Sequence, residues 1–175
     1  MLRRGGKTIQ ARWVDVNKGD RRSPDYRSRR VGKELNFGVD LALYAATPPL
    51  EALRLILSQA ATGKRAKGQR VMINYVKRAY FHAKVTRDIY IELLQEDRDG
   101  GVDQVVQLEL CLYGTRDAAT NWQDTVAAHL EGLGFTRGKS NPCVFHHADN
   151  IILTLVHGDD YASTGGEKAT PVVQT

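Results

Sequence analysis

A short apolar run, Ile151 to Val156, leads directly into His157, Gly158, Asp159 and Asp160. Buried strands run to about 4–8 residues and membrane-spanning helices to about 20, so this run reads as a buried strand. A Gly-Asp pair is a favoured hairpin turn, and it stops the strand. Two adjacent carboxylates therefore leave a rigid sheet at one tight bend. The remainder of the chain has to supply the neighbouring strands and a cover for them. With 175 residues, 42% of them hydrophobic and 26% charged, there is material for one domain with a short appendage, and wholesale disorder is excluded. The two cysteines, Cys111 and Cys143, exclude a disulfide framework and read as reduced thiols of an intracellular protein, in cytoplasm or nucleus. No stretch is long enough to span a membrane, and no apolar segment follows the basic start, which argues against insertion and secretion.

Charge is unevenly placed. Residues 1 to 35 carry eleven Lys and Arg against four Asp and Glu, whereas the other 140 carry fourteen against sixteen. The excess of +5 thus comes entirely from the N-terminal fifth, which favours a polyanionic partner or, equally, makes a solvated basic arm. Within it, strand-like pieces at Arg12 to Val16 and Tyr26 to Val31 flank a turn at Lys18, Gly19 and Asp20, and together predict a basic hairpin.

The spacing predicts a first helix over Pro48 to Ala61, capped by Thr47, with Pro48 as its first residue, a Leu50, Leu53, Leu57, Ala61 stripe and a stop at Gly63. A basic turn, Lys64 to Arg70, follows. Strands are expected at Val71 to Val76, Ile89 to Leu93 and, from its alternation, Val105 to Leu112, with a loop at Glu96 to Gly101. A second helix fits Ala118 to Leu133, with Asp117 as N-cap, a Trp122, Val126, Leu130, Leu133 stripe and Gly134 as the stop. Cys143 to His146 and Asn150 to Val156 read as a hairpin, and Ser163 to Thr175 as a loose polar tail. Strands interleaved with two packing helices indicate an α+β fold.

A Mg²⁺ site needs hard oxygen ligands in fixed geometry, and an aspartate pair at a hairpin can supply them, although Gly-Asp is also a common purely structural turn. Cys143, His146, His147 and His157 have incomplete spacing for zinc and read better as surface histidines.

Several segments, taken in order, resemble the reverse transcriptase domain of copia-type retrotransposons. Tyr26-Arg27-Ser28-Arg29-Arg30-Val31-Gly32-Lys33 is similar to the family's Y-K-A-R-L-V-A-K. Leu43 to Arg54 resembles its F-A-P-V-x-x-x-x-S-I-R helix entry, and Val76-Lys77-Arg78-Ala79-Tyr80-Phe81-His82-Ala83 its D-V-K-T-A-F-L-N-G. Leu112-Tyr113-Gly114-Thr115-Arg116-Asp117-Ala118-Ala119-Thr120-Asn121-Trp122 matches L-Y-G-L-K-Q-A-P-R-A-W, Leu133-Gly134-Phe135 matches L-G-F, and Asn141 to Phe145 matches D-P-S-L-Y. His157-Gly158-Asp159-Asp160 stands where the family has Y-V-D-D. The resemblance covers about Trp13 to Ser163.

The resemblance implies a right-hand polymerase: a basic N-terminal fingers segment over 1–36, the remaining fingers and palm over 37–163 with an antiparallel palm sheet packed on two helices, and a loose tail over 164–175. A thumb and a ribonuclease H domain are not expected in a chain that stops here. It further implies an RNA or DNA template-primer and dNTP as partners, and two Mg²⁺ ions that activate the primer hydroxyl and neutralise the triphosphate. Asp159 carries over as a metal ligand and Asp160 as its neighbour. Arg29 carries over as the triphosphate clamp, with Lys18 a second candidate, and Tyr80 as the ring that blocks a ribose 2′-hydroxyl, or else as a core aromatic. Arg27, Arg30 and Lys33 are the nucleic-acid contacts. Tyr75 departs from the family, because it stands at the first catalytic aspartate, and a neutral phenol is a poor Mg²⁺ ligand. Asn74 faces the other side of its strand and Asp88 lies too far along the chain to replace that carboxylate. Two readings result: a reverse transcriptase fragment impaired by Tyr75, or a noncatalytic nucleic-acid-binding remnant of a retrotransposon Pol protein.

Overall fold

The structure is a computed structural model that describes residues 7–34, 38, 43–62, 69–101 and 104–166. In chain order its elements are β1 (Lys7–Asn17), β2 (Tyr26–Lys33), α1 (Leu50–Thr62), β3 (Gln69–Tyr75), β4 (Ile89–Glu92), β5 (Val105–Gln107), α2 (Ala118–Gly132), β6 (Thr136–Arg137), β7 (Val144–His147), β8 (Ile152–His157) and β9 (Asp160–Gly166). The mixed α+β content expected from the sequence is present. The chain divides into two compact units, Met1–Leu43 with Tyr80–Asn121 and Tyr44–Ala79 with Trp122–Thr175.

The first unit holds a four-stranded sheet in the order β2-β1-β4-β5. The basic hairpin forms as expected, and its strands are longer than the sequence pattern suggested: β2 runs on to Lys33 opposite Gln10, and β1 continues back to pair in parallel with β4. The Asn17 side-chain oxygen accepts the Gly19 and Asp25 N–H groups, and the Asp20 carboxylate accepts those of Arg22 and Ser23. These bonds shape the loop, and those from the Ser23 and Arg22 N–H groups hold the Asp20 carboxyl below its ordinary range. Ile9, Ile89, Ile91 and Leu112 form the unit's core. Gly114, at φ +88°, lies so close to the hairpin that an added Cβ would stand 2.1 Å from the Gly32 carbonyl oxygen. The Gly32 N–H in turn donates to the Tyr113 carbonyl at 2.7 Å.

Two expectations fail in this unit. The strand from Val105 to Leu112 shrinks to Val105–Gln107, whose side chains are all exposed, so its alternation marked an edge and not a half-buried face. Asp117 makes no capping bond: its carboxylate accepts from the Arg87 guanidinium at 2.9 Å and the Asn121 amide at 3.2 Å. Arg87, itself half-buried, also forks onto Glu34 at 2.9 and 2.6 Å, so an ion triad with two buried carboxylates has taken the residue that would have capped α2.

The second unit holds a five-stranded antiparallel sheet in the order β3-β9-β8-β7-β6. On one face Ile56 of α1 packs with Cys143, Leu155 and Ala162, flanked by Ala52 and Leu53. Burial raises the pKa of the Cys143 thiol, which keeps it protonated. The predicted α1 stripe is out of phase, since Leu50 and Leu57 are exposed and Ile56 is fully buried. The phase is set by packing, which turns Ile56 onto Cys143, Leu155 and Ala162; the Pro48-Pro49 pair accounts for the later start, since a residue before proline is pushed out of the helical region and the first turn begins at Leu50. The expected stop at Gly63 and most of the basic turn lie outside the described residues.

Helix α2 agrees closely with expectation. Trp122, Val126 and Leu130 are buried. Gly134, at φ +90°, closes the helix with bonds from its own N–H to Glu131 and from Phe135 to Leu130, a Schellman motif. The loose tail expected from Ser163 is a correction. Ser163, Thr164 and Gly165 are buried in β9, the second strand of the sheet, where Ser163 meets Thr154 hydroxyl to hydroxyl at 2.9 Å. Polar composition concealed the strand because each hydroxyl is satisfied across the ladder. Residues beyond Gly166 lie outside the described set. His147, expected at the surface, is buried, with its ring edge-on to Phe135 at 5.1 Å.

Candidate functional site

In the second unit, β8 and β9 pair through His157 and Asp160, which leaves Gly158 and Asp159 as a two-residue turn. A positive φ at Gly158 (+62°) and not at Asp159 is the type II′ pattern, one that matches strand twist. The turn is held from two sides. The Trp122 indole N–H donates to the Gly158 carbonyl at 2.8 Å, and the Val76 N–H donates to the Asp159 carbonyl at 2.9 Å. Register places Tyr75 directly opposite Asp160, so these side chains share a face of the sheet. Tyr75 thus lies beside the aspartate turn, as the motif order required. Asp159 is half-buried, Asp160 is exposed and Tyr75 is 59% exposed. Among the described residues neither carboxylate has a hydrogen-bond or ion-pair partner. Burial, helped by the Asp159 charge, raises the Tyr161 phenol well above its ordinary 10, so this neighbour adds no anion.

In the first unit, side chains alternate along the hairpin and the register sorts its cations by face. Arg12, Arg27, Arg29 and Lys33 share one face, because Arg12 pairs with Val31, Val14 with Arg29, Val16 with Arg27 and Gln10 with Lys33. All four are exposed. Arg30 turns to the opposite face beside Trp13 and pairs with Asp97 at 2.6 Å. Lys18 sits exposed in the loop. The Arg29 guanidinium lies 5.9 Å over the Tyr113 ring, and Tyr113 meets Tyr80 at 4.5 Å and Phe81 edge-on at 5.7 Å. Arg29 and Tyr80 are therefore joined through Tyr113. Sequence reasoning missed both Arg12 and Tyr113. Strand alternation could have found Arg12, but no local signal announces that Tyr113 stands between two distant residues.

Comparison with known proteins gives the family. The family model described as reverse transcriptase (RNA-dependent DNA polymerase) matches residues 2–170. The chain belongs to the reverse transcriptase family. It is also 24% identical, over 91% of its length, to the retrovirus-related Pol polyprotein from transposon RE1 of Arabidopsis thaliana, and spans 11% of that protein. No solved structure matches. The family resemblance read from the ordered motifs is thereby borne out.

Within this reverse transcriptase domain the aspartate turn has the donor set for one hard divalent ion, since Mg²⁺ takes one or two carboxylates and fills its shell with water and substrate oxygens. It does not suit two ions about 3.5–4 Å apart, whose combined charge calls for more anionic ligands. The group beside Asp160 is a phenol, and among the described residues no three His, Cys, Asp or Glu side chains are grouped to hold a metal. No described helix is long and apolar enough to cross a membrane.

Proposed function

We propose that the chain is the fingers-and-palm part of a right-hand polymerase, from a copia-type retrotransposon Pol polyprotein, that binds template-primer and dNTP but polymerises poorly. The observation that carries this reading is the pairing of Tyr75 with Asp160 beside the turn that presents Asp159. In this reading Asp159 and Asp160 hold a single Mg²⁺. The ion supplies charge neutralisation when bound; the chain's own residues orient the substrates. Arg29, with Lys18 nearby in sequence, grips the triphosphate, because a guanidinium fork matches phosphate oxygens. Tyr80, stacked on Tyr113, presents its ring to the sugar. Arg27 and Lys33, joined by Arg12, contact phosphates of the strand, whereas Arg30 is already paired with Asp97. The second reading, a noncatalytic nucleic-acid-binding remnant, is favoured by a phenol in place of a carboxylate at position 75 together with the intact four-cation face.

Primer extension with Mg²⁺ and with Mn²⁺, run beside a template-primer binding titration, tests both readings. Expected are binding that weakens with salt, no extension by the parent chain, and trace extension by Tyr75→Asp. Full extension by the parent would refute the impairment. No binding would refute both readings.

A further inference from the structure

The hairpin face that carries Arg30 is covered by acids from elsewhere in the first unit. Trp13 and Arg30 are cross-strand partners, so the indole and the guanidinium stand side by side. A short 3₁₀ turn, Gln95–Asp97, reaches over both. The Glu96 carboxylate accepts the Trp13 indole N–H at 2.6 Å, and the Asp97 carboxylate pairs with Arg30 at 2.6 Å. The cover is partial: Trp13 stays 48% exposed. The second terminal nitrogen of Arg30, Nη2, is buried with no partner among the described residues, so half of its donor fork goes unused.

We infer that Trp13 and Arg30 form a platform for one nucleotide of a single strand, the ring stacking on the base and the guanidinium taking the phosphate, and that the Glu96–Asp97 turn occupies it until the strand displaces it. The chemistry of each partner fits. Aromatic rings stack on any base without sequence preference, and arginine recognises phosphate with both arms of its fork. Asp97 engages one arm only, through a carboxylate oxygen standing where a phosphate oxygen would stand. The indole N–H and the nearby Arg30 charge hold the Glu96 carboxyl below its ordinary value, as expected for an acid kept ionised by the group it covers. The Arg30–Asp97 pair is part-exposed, with side chains 28% and 39% accessible, so solvent screens it and an arriving polyanion can exchange with Asp97. The platform lies on the face opposite Arg12, Arg27, Arg29 and Lys33, which makes it a second contact and not a part of the first. The inference rests on the reading of the hairpin as a nucleic-acid surface.

The test is anisotropy of labelled oligodeoxythymidylate at low salt, with tryptophan fluorescence recorded alongside. Glu96→Gln with Asp97→Asn should bind about three- to tenfold more tightly than Asp88→Asn with Glu109→Gln, a control that removes the same charge elsewhere in the unit. Adding Trp13→Ala or Arg30→Gln to the first pair should abolish the gain, whereas Arg30→Gln alone should change little, its charge being already engaged. Equal affinity for the two acid-neutralised proteins overturns the inference while leaving the hairpin reading intact. A gain that survives loss of Trp13 and Arg30 also overturns it. Absence of binding by every protein overturns both.

Discussion

Two pairs of carboxylates sit in this molecule under opposite conditions. In the first unit Glu34 and Asp117 have side chains only 1% and 2% exposed and share the fork of Arg87. Those bonds keep the Arg87 guanidinium charged at any accessible pH. In the second unit Asp159 and Asp160 end a hairpin without a cation among the described residues, and only their backbone is held. The contrast separates acids that serve the fold from acids the fold merely presents. A buried carboxylate must be neutralised by the protein itself, whereas a presented one leaves its charge available to a ligand.

The contrast is broken most severely by Arg87→Leu. It strands two carboxylates in the interior, and urea denaturation should register a loss of about 3 kcal/mol. A loss under about 1 kcal/mol would mean that water already reaches this pair. Trp122→Phe acts on the presented pair from behind. Removing the indole N–H leaves the Gly158 carbonyl without its donor and a small void beneath it, for a loss of about 2 kcal/mol. The same protein's crystal structure should show the turn displaced.

Tyr75→Asp sharpens the contrast by adding a third anion to the open pair. The substituted protein should melt lower than the parent without metal, and Mg²⁺ at about ten times its dissociation constant should return about 1.4 kcal/mol. Equal stabilisation of parent and variant would remove position 75 from any metal site. Asp160→Asn is expected to shift stability by less than about 0.5 kcal/mol, because no structural partner is lost.

Glu96 lies between the two extremes, exposed yet engaged. Its folded pKa lies below the ordinary 4.5, so its contribution is complete above that value and vanishes as pH falls through the lower folded one. Trp13 fluorescence should therefore change in acid below pH 4.5 and stay flat above it.

What the sequence revealed follows the range of each interaction. The Trp122, Val126, Leu130 stripe and the Gly134 stop are local periodicities, and both were legible. The apolar run into Asp159 was legible for the same reason, and the motif order brought Tyr75 beside it. The phase of α1 was hidden because Ile56 is buried by Cys143, Leu155 and Ala162, which lie far along the chain. Strand β9 was hidden because Ser163 and Thr164 satisfy their hydroxyls on residues 9 and 95 positions away. Arg87 and Glu34 lie 53 positions apart and no spacing rule relates them. The two-faced character of the hairpin needed only the register, which alternation alone leaves open by one residue.

Each compact unit is assembled from two stretches that alternate along the chain. During synthesis at about 5–20 residues per second, β1 and β2 emerge long before β4, and β3 waits for β9. The β3 edge, with Val71 and Ile73 exposed even in the finished fold, is thus displayed unpaired throughout that interval. No single cut of the chain yields either unit whole. A nascent chain stopped between β3 and β9 carries an unpartnered apolar strand, and so becomes a substrate for chaperones and proteases.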